Sequence, residues 1–287
     1  MRSAAAAAVL SCALFASSCT PDRREAVLPA EPVSYTIEES SISLEDKYIY
    51  GRLCIPEDGK NTHPVVILCH GMGVNHSHTM NFAMMFAEHG IAAYAFDFCG
   101  GGDPSQSSGT MAEMSVHTEL EDLNDVLAHI KDTGIAGRNP VFVLGMSQGG
   151  YVAAEAAARQ PDEIAGLLLF FPAFNINDLI LAEYPSEEDV PAQGSIFDQT
   201  VSRKYFLDAM HEPITEDMEA YAGPVLILHG SEDAVVPCSY SETAAAHYPN
   251  AELHLIEGAG HGFFLQDADT ALSYCLPFLS RIIAEQR

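Results

Sequence analysis

The chain has 287 residues, a formal net charge of −27 and 48% hydrophobic residues, enough to bury a full core as one large domain or as one domain with an insertion. So acidic a balance excludes a nucleic-acid binder and electrostatic adhesion to anionic lipid, because both depend on a basic surface. After the N-terminal segment no run of apolar residues is long enough to cross a bilayer as a helix.

Residues 1–19 read as a secretion signal, with Arg2 followed by a run of Ala, Val, Leu and Phe. Ser17-Ser18-Cys19 resembles a bacterial lipobox, which implies cleavage before Cys19 and lipidation of that residue. The expectation is an exported protein that meets a membrane only through the N-terminal lipid; ordinary cleavage nearby is the alternative. Residues 20–32 are polar and contain proline, as suits a tether, and residues 33–287 carry the folded domain. Removing Cys12 and lipidating Cys19 leaves Cys54, Cys69, Cys99, Cys238 and Cys275. That odd, scattered set is not a disulfide framework, and Cys54 and Cys69 fall in apolar runs that predict buried thiols.

From Val33 the pattern alternates apolar and polar residues, and Val33–Ile37 with Tyr48–Ile55 predicts an antiparallel hairpin. Pro64–Cys69 is continuously apolar, as a parallel strand covered on both faces must be, and it runs into His70-Gly71-Met72. A helix over Thr79–His89, a strand over Ile91–Phe96, a Gly-rich loop from Asp97 and a helix over Ser115–Lys131 follow. Val141–Leu144 is the next buried strand and turns through Gly145-Met146-Ser147-Gln148-Gly149 into an Ala-rich helix that ends before Pro161. Strands over Ile164–Phe171, Pro224–Leu228 and Leu253–Ile256 and a helix over Ala268–Ala284 complete the series. Strands alternating with helices predict an α/β fold with a mostly parallel, doubly wound sheet and an antiparallel leading hairpin. Residues 172–223 break the alternation, with acidic clusters, aromatics and one clear helix at Val201–Met210. They read as a lid inserted over the site, because a long loop with no role is uncommon inside a compact domain.

Gly145-x-Ser147-x-Gly149 between a buried strand and a helix is the nucleophile-elbow pattern. A chain that reverses this sharply leaves no room for a Cβ on either side of the turn and puts the serine at its tip. A serine hydroxyl needs a base to take its proton, and the base needs a carboxylate to fix its tautomer. Among the twelve histidines, His261 alone stands in a Gly-rich loop after the final strand, which makes it the base. His254 alternates within a strand, and His229 and His70 brace the loops they begin. Asp233 is the acid, with Glu232 its rival, because in motifs of this kind the acid stands three residues after the Gly of His-Gly. Backbone N–H groups of Gln148, at a helix N-terminus, and of Met72, in the loop after the first parallel strand, are the expected oxyanion donors. No cofactor or metal is called for, since His76 and His78 lack a further clustered ligand.

His70-Gly71-Met72, Phe96-Asp97-Phe98, Gly145-Met146-Ser147-Gln148-Gly149-Gly150, His229-Gly230-Ser231-Glu232-Asp233 and Gly258-Ala259-Gly260-His261 resemble the α/β-hydrolases, and within them the bacterial cinnamoyl (feruloyl) esterases. The resemblance spans most of Val33 to Leu279 and implies the α/β-hydrolase fold with a Ser147–His261–Asp233 triad. It implies a serine carboxylesterase working through an acyl-enzyme on aryl, hydroxycinnamoyl or short to medium acyl esters. An acyl-peptide hydrolase or exopeptidase, a lipase, and a catalytically silent binding protein of the same fold are the alternatives. Tyr184, Tyr205 and Phe206, among the aromatics of the lid, are the candidates for contact with the acyl group.

Overall fold

The structure, a computed structural model, describes residues 28–29, 31–211 and 218–286. The signal segment, Cys19 and most of the tether lie outside the described residues. Twelve strands and seven α-helices are described. The chain opens with β1 (Tyr35–Glu39), β2 (Ile42–Ser43), β3 (Tyr48–Ile49) and β4 (Gly51–Pro56), then β5 (Val65–Cys69), α1 (Met80–Glu88), β6 (Ala92–Phe96) and α2 (Val116–Thr133). Next come β7 (Val141–Met146), α3 (Gln148–Arg159), β8 (Gly166–Phe170), α4 (Ile176–Glu183), β9 (Gln193–Ile196), β10 (Gln199–Ser202) and α5 (Arg203–His211). The chain closes with β11 (Val225–Gly230), α6 (Ser239–His247), β12 (Ala251–Ile256) and α7 (Gln266–Glu285).

Eight strands form one sheet in the order β1-β4-β6-β5-β7-β8-β11-β12. β4 pairs antiparallel with β1 and with β6, and every pair from β6 to β12 is parallel. The order reverses at β5, which lies between β6 and β7, so the crevice at the carboxyl ends of β5 and β7 is the switch point where ligands bind in such sheets. Period-two alternation along β5 splits its side chains between two faces: Val65, Ile67 and Cys69 join the core under α2 and α3, and Val66 and Leu68 join the core under α1 and α7. Each wholly buried Leu or Ile contributes about 1.5–3 kcal/mol, and because both faces are covered the central strands read as unbroken apolar runs.

Helix α2 shows how the sequence sets its own boundaries. Ser115 Oγ accepts from the Thr118 N–H at 3.3 Å, Thr118 Oγ1 accepts from the Ser115 N–H at 2.9 Å, and Gly134 ends the helix at φ 71°. Such a capping box satisfies donors that the first helical turn leaves without partners.

Two expectations change here. The interval 172–223 holds more structure than the single helix the sequence predicts: besides α5, it contains α4 and the β9–β10 hairpin, and its Val190, Ile196, Val201, Tyr205 and Phe206 are buried with the α2–α3 core. Lys204 Nζ donates to Ser115 Oγ at 2.7 Å, fastening α5 to the start of α2, and the Gln199 side chain lies against Gly73 in the loop after β5. Helix α6, unforeseen in the sequence, packs beside β12 through a narrow face that includes Ser241 and Ala244. The five cysteines of the described residues are unpaired, with Cys54, Cys69 and Cys275 buried.

Candidate active site

The elbow is built as its glycines require. A Cβ on Gly145 would stand 2.2 Å from the Gly149 carbonyl oxygen, and one on Gly149 would stand 2.4 Å from that of His70. With both faces of the turn closed to side chains, Ser147 takes φ 53°, a conformation that costs a non-glycine residue roughly 1–3 kcal/mol and persists where the surroundings impose it. The Ser147 N–H donates to the Phe170 carbonyl at 3.0 Å, anchoring the turn to β8.

His261 and Asp233 arrive from the loops after β12 and β11. Ser147 Oγ is 2.9 Å from His261 Nε2, and His261 Nδ1 is 2.7 Å from Asp233 Oδ2. Asp233 Oδ1 accepts the N–H groups of Val235 and Val236 at 2.8 and 2.9 Å, and His229 Nε2 stands 3.2 Å from Oδ2. Burial alone would raise the Asp233 pKa, but the hydrogen bonds from His229, His261 and the Val236 N–H outweigh it and hold the carboxyl well below the usual carboxylate range. Asp233 is therefore ionised and able to fix the His261 tautomer. Glu232 is exposed and uses only its backbone N–H here, donating to the Ala259 carbonyl at 2.9 Å.

His229, His70 and His254 have partners away from Ser147. His229 Nε2 bonds the Val236 carbonyl at 2.9 Å and Nδ1 meets Ser241 Oγ at 2.7 Å. His70 Nδ1 donates to the Gly71 carbonyl at 2.8 Å while Nε2 accepts the Phe98 N–H at 3.0 Å. Burial pushes its pKa down to about 4, so it is a neutral strut joining the loops after β5 and β6. His254 stacks on Tyr274 with centroids 4.2 Å apart.

The N–H of Gln148 opens α3, and by position it has no acceptor within the helix. Met72 lines the same cleft as Ser147, and a Cβ on Gly71 would stand 3.1 Å from that of Ser147, so the loop after β5 borders the serine. The Gln148 side chain points into the interior: its Nε2 donates to Glu119 Oε2 at 2.8 Å and its Oε1 accepts from the Tyr205 hydroxyl at 2.7 Å. The three side chains are fully buried, and burial pushes the Glu119 carboxyl up to about 8, with the Asp122 charge adding to the rise and the Gln148 amide opposing it. Glu119 is an acid on the apolar stripe Val116, Leu120, Leu123, Leu127 of an amphipathic helix, the one local signal in the sequence that points to it.

A neutral Glu119 has a measurable consequence for stability. Below its ordinary value of 4.5 the folded and unfolded chains both keep the proton, and its contribution to stability is complete. As pH rises toward about 8 only the unfolded chain releases it, and that contribution is lost. Glu119→Gln cannot ionise, so its melting temperature should gain on wild type steadily between pH 5 and 8. Thermal denaturation across that range checks this; a gap independent of pH would mean that Glu119 is ionised in the fold.

The cleft at Ser147 is walled by Met72, Val74, Phe82, Phe171, Phe263 and Phe264, with His78 and His261 at its edge. Phe171 meets His261 edge-on, centroids 4.8 Å apart, and packs on Phe263 at 4.9 Å. Tyr184, Tyr205 and Phe206 do not line this cleft. Tyr205 is spent on Gln148, Phe206 is buried against Tyr205 and Tyr184, and Tyr184 with Phe206 borders a separate cavity within residues 172–223. The reading of these three as acyl contacts is corrected accordingly. The aromatic wall comes instead from α1, from the residue after β8 and from the two residues after His261-Gly262, each beside a strand end or next to the base.

A doubly wound, mostly parallel sheet with Ser, Asp and His brought together at its strand ends in that chain order is the α/β-hydrolase fold, and this chain has that fold. The family model described as serine aminopeptidase, S33, matches residues 60–194. A monoacylglycerol lipase of Mycolicibacterium smegmatis is 26% identical over 226 residues, spanning 67% of this chain and 78% of that protein. The bovine monoacylglycerol lipase ABHD6 is 20% identical over 276 residues, with 80% of each chain covered. Among solved structures, Est1E from Butyrivibrio proteoclasticus with ferulic acid bound superposes with a TM-score of 0.74 at 23% identity, covering 86% of this chain and 98% of that one. That superposition establishes the shared fold.

Proposed function

We propose that the protein is a serine carboxylesterase acting through an acyl-enzyme. The observation that carries this reading is the unbroken relay of Ser147 Oγ to His261 Nε2 at 2.9 Å and His261 Nδ1 to Asp233 Oδ2 at 2.7 Å, opening onto an apolar cleft. Ser147 Oγ attacks the ester carbonyl as His261 Nε2 takes its proton, and the carbonyl oxygen gains negative charge facing the N–H groups of Gln148 and Met72. Collapse of this intermediate breaks the C–O bond to the alcohol, which leaves with the proton from His261. Water then repeats the sequence on the acyl-enzyme, giving its proton to His261 and releasing the carboxylic acid as Ser147 regains its hydrogen.

The lining of the cleft favours esters over peptides. An aminopeptidase needs an anion to hold the free amino group of its substrate, and among the described residues lining the cleft none is Asp or Glu. Phe82, Phe171, Phe263 and Phe264 form a wall suited to an aryl or a medium alkyl acyl group, since aromatic rings contribute about 0.5–1.5 kcal/mol per contact beyond area burial. The likeness to Est1E with ferulic acid bound supports the first and the likeness to monoacylglycerol lipases the second. The deciding experiment is kcat/KM across p-nitrophenyl acetate, longer p-nitrophenyl acyl esters, a hydroxycinnamate methyl ester and an aminoacyl p-nitroanilide. The expected order places every ester above the anilide by at least a hundredfold; an anilide turned over best would replace the esterase reading by a peptidase. A lipid-anchored, exported location remains part of this proposal, resting on Ser17-Ser18-Cys19, and metabolic labelling of Cys19 with a fatty-acid analogue tests it.

A further inference from the structure

Two cavities meet at the catalytic cleft, and they share His78, Phe82, Phe263 and Phe264. The first is the cleft at Ser147. The second is a groove of about 650 Å³ that continues over α1 toward the start of α7, where Met84, Met85 and Leu265 take over its walls. A third cavity, bordered by Leu179, Tyr184, Ile196 and Phe206 within residues 172–223, shares no lining residue with the cleft. The path from the nucleophile therefore runs along α1, away from that cavity.

Three features of the groove define what fits it. Beyond the shared residues its apolar lining is Met84, Met85 and Leu265 beside the ring of Tyr35, and the two methionines and the leucine conform to a flexible chain. Phe264 and Leu265 are 66% and 89% exposed, and Leu265 is held at φ 50°. A large apolar side chain kept in water by a strained backbone, on the loop that carries His261, is spent on something other than packing. The charged residues bordering the groove are Glu88 and Asp269, with neither Lys nor Arg among its lining, so an anionic chain end is repelled and an uncharged or hydroxylated one is tolerated.

We propose that this groove is a subsite for the long alkyl chain of an uncharged ester whose carbonyl sits at Ser147, making the preferred substrates neutral esters with chains well beyond acetyl. The proposal rests on the ester-hydrolase reading above and deepens it. Each methylene that leaves water can raise kcat/KM by up to about fourfold, so the gain should build with chain length until the groove is full.

Two measurements separate the proposal from the reading beneath it. The first is kcat/KM for p-nitrophenyl esters from two to sixteen acyl carbons. Wild type should rise at least tenfold from acetate to a mid-length or long ester, and Leu265→Glu and Met84→Glu, both at solvent-reaching positions, should lower the long-to-short ratio at least fivefold. Leu179→Glu, on the third cavity, should leave that ratio within twofold of wild type. A ratio reduced by Leu179→Glu and unaffected by the other two would put the chain in that cavity and overturn the subsite. The second is the rate at which short- and long-alkyl fluorophosphonates label Ser147, which requires no ester turnover. Faster labelling by the long probe, lost in Leu265→Glu, supports the groove even if the ester panel fails; equal rates for both probes overturn it even if every ester is hydrolysed.

Discussion

Ser147→Ala is expected to reduce hydrolysis of p-nitrophenyl acetate by a factor on the order of 10⁴–10⁶ while the fold melts within a few degrees of wild type. The side chain loses one oxygen whose partner is His261 Nε2 at 2.9 Å, and the φ of 53° is as costly for alanine as for serine, so stability has little reason to change. Activity has every reason to change, because the hydroxyl that His261 Nε2 meets at 2.9 Å is that of Ser147. His261→Ala should cost about as much, and the double variant no more than either single one, since nucleophile and base act as a unit and their losses do not add. Circular-dichroism melts and single-substrate kinetics on the three variants check both halves. Turnover by Ser147→Ala near the wild-type rate would remove the serine from the chemistry, and additive losses would point to another base.

The parts of this protein that could be read in advance are those whose geometry is dictated locally. Gly145 and Gly149 are forced by backbone atoms within 2.5 Å of where their Cβ would be, so the pattern around Ser147 states its own structure. Parallel strands such as Val65–Cys69 declare themselves because both faces are covered, and the loops following them place the triad without any knowledge of the packing. The choice of Asp233 over Glu232 has an equally local basis: the turn from Gly230 to Val236 directs two N–H groups onto Asp233 and leaves Glu232 exposed.

What could not be read depends on partners far away in the chain. Tyr205 is an aromatic in an acidic, loop-like interval, a description that suits a ligand contact and a packed residue equally. Its role is decided by Gln148, 57 positions earlier, and nothing near Tyr205 records that partner. The cleft wall has the same character, because Phe82, Phe171 and Phe264 belong to three segments that only the sheet order brings together. Helix α6 escaped for a simpler reason: Ser-Tyr-Ser-Glu-Thr-Ala-Ala-Ala-His carries too few large apolar residues to show a stripe, and its position is set by β11 and β12.

Asp233→Asn is expected to lower kcat/KM by about 10⁴, whereas Glu232→Gln should stay within about twofold of wild type. The native carboxylate accepts from His261 Nδ1 through Oδ2 and from the Val235 and Val236 N–H groups through Oδ1. An asparagine can keep its carbonyl oxygen toward the two backbone donors only by turning its NH₂ toward His261. Nδ1 must then accept, the ring proton moves to Nε2, and the nitrogen 2.9 Å from Ser147 Oγ can no longer take the serine proton. Turning the amide the other way would set an NH₂ against two N–H groups in a fully buried position, at a cost of about 1–3 kcal/mol for each polar group left unpaired. Glu232 makes no comparable contact, since its side chain is exposed and the backbone bond to Ala259 survives the substitution. Because His229, His261 and the Val236 N–H outweigh the effect of burial and hold Asp233 well below the usual carboxylate range, the deficit of Asp233→Asn should persist at every pH where wild type is active. Kinetics of both variants from pH 5 to 9 measure this. A rate for Asp233→Asn that recovers to wild type at high pH, or a large loss in Glu232→Gln, would transfer the role of acid away from Asp233.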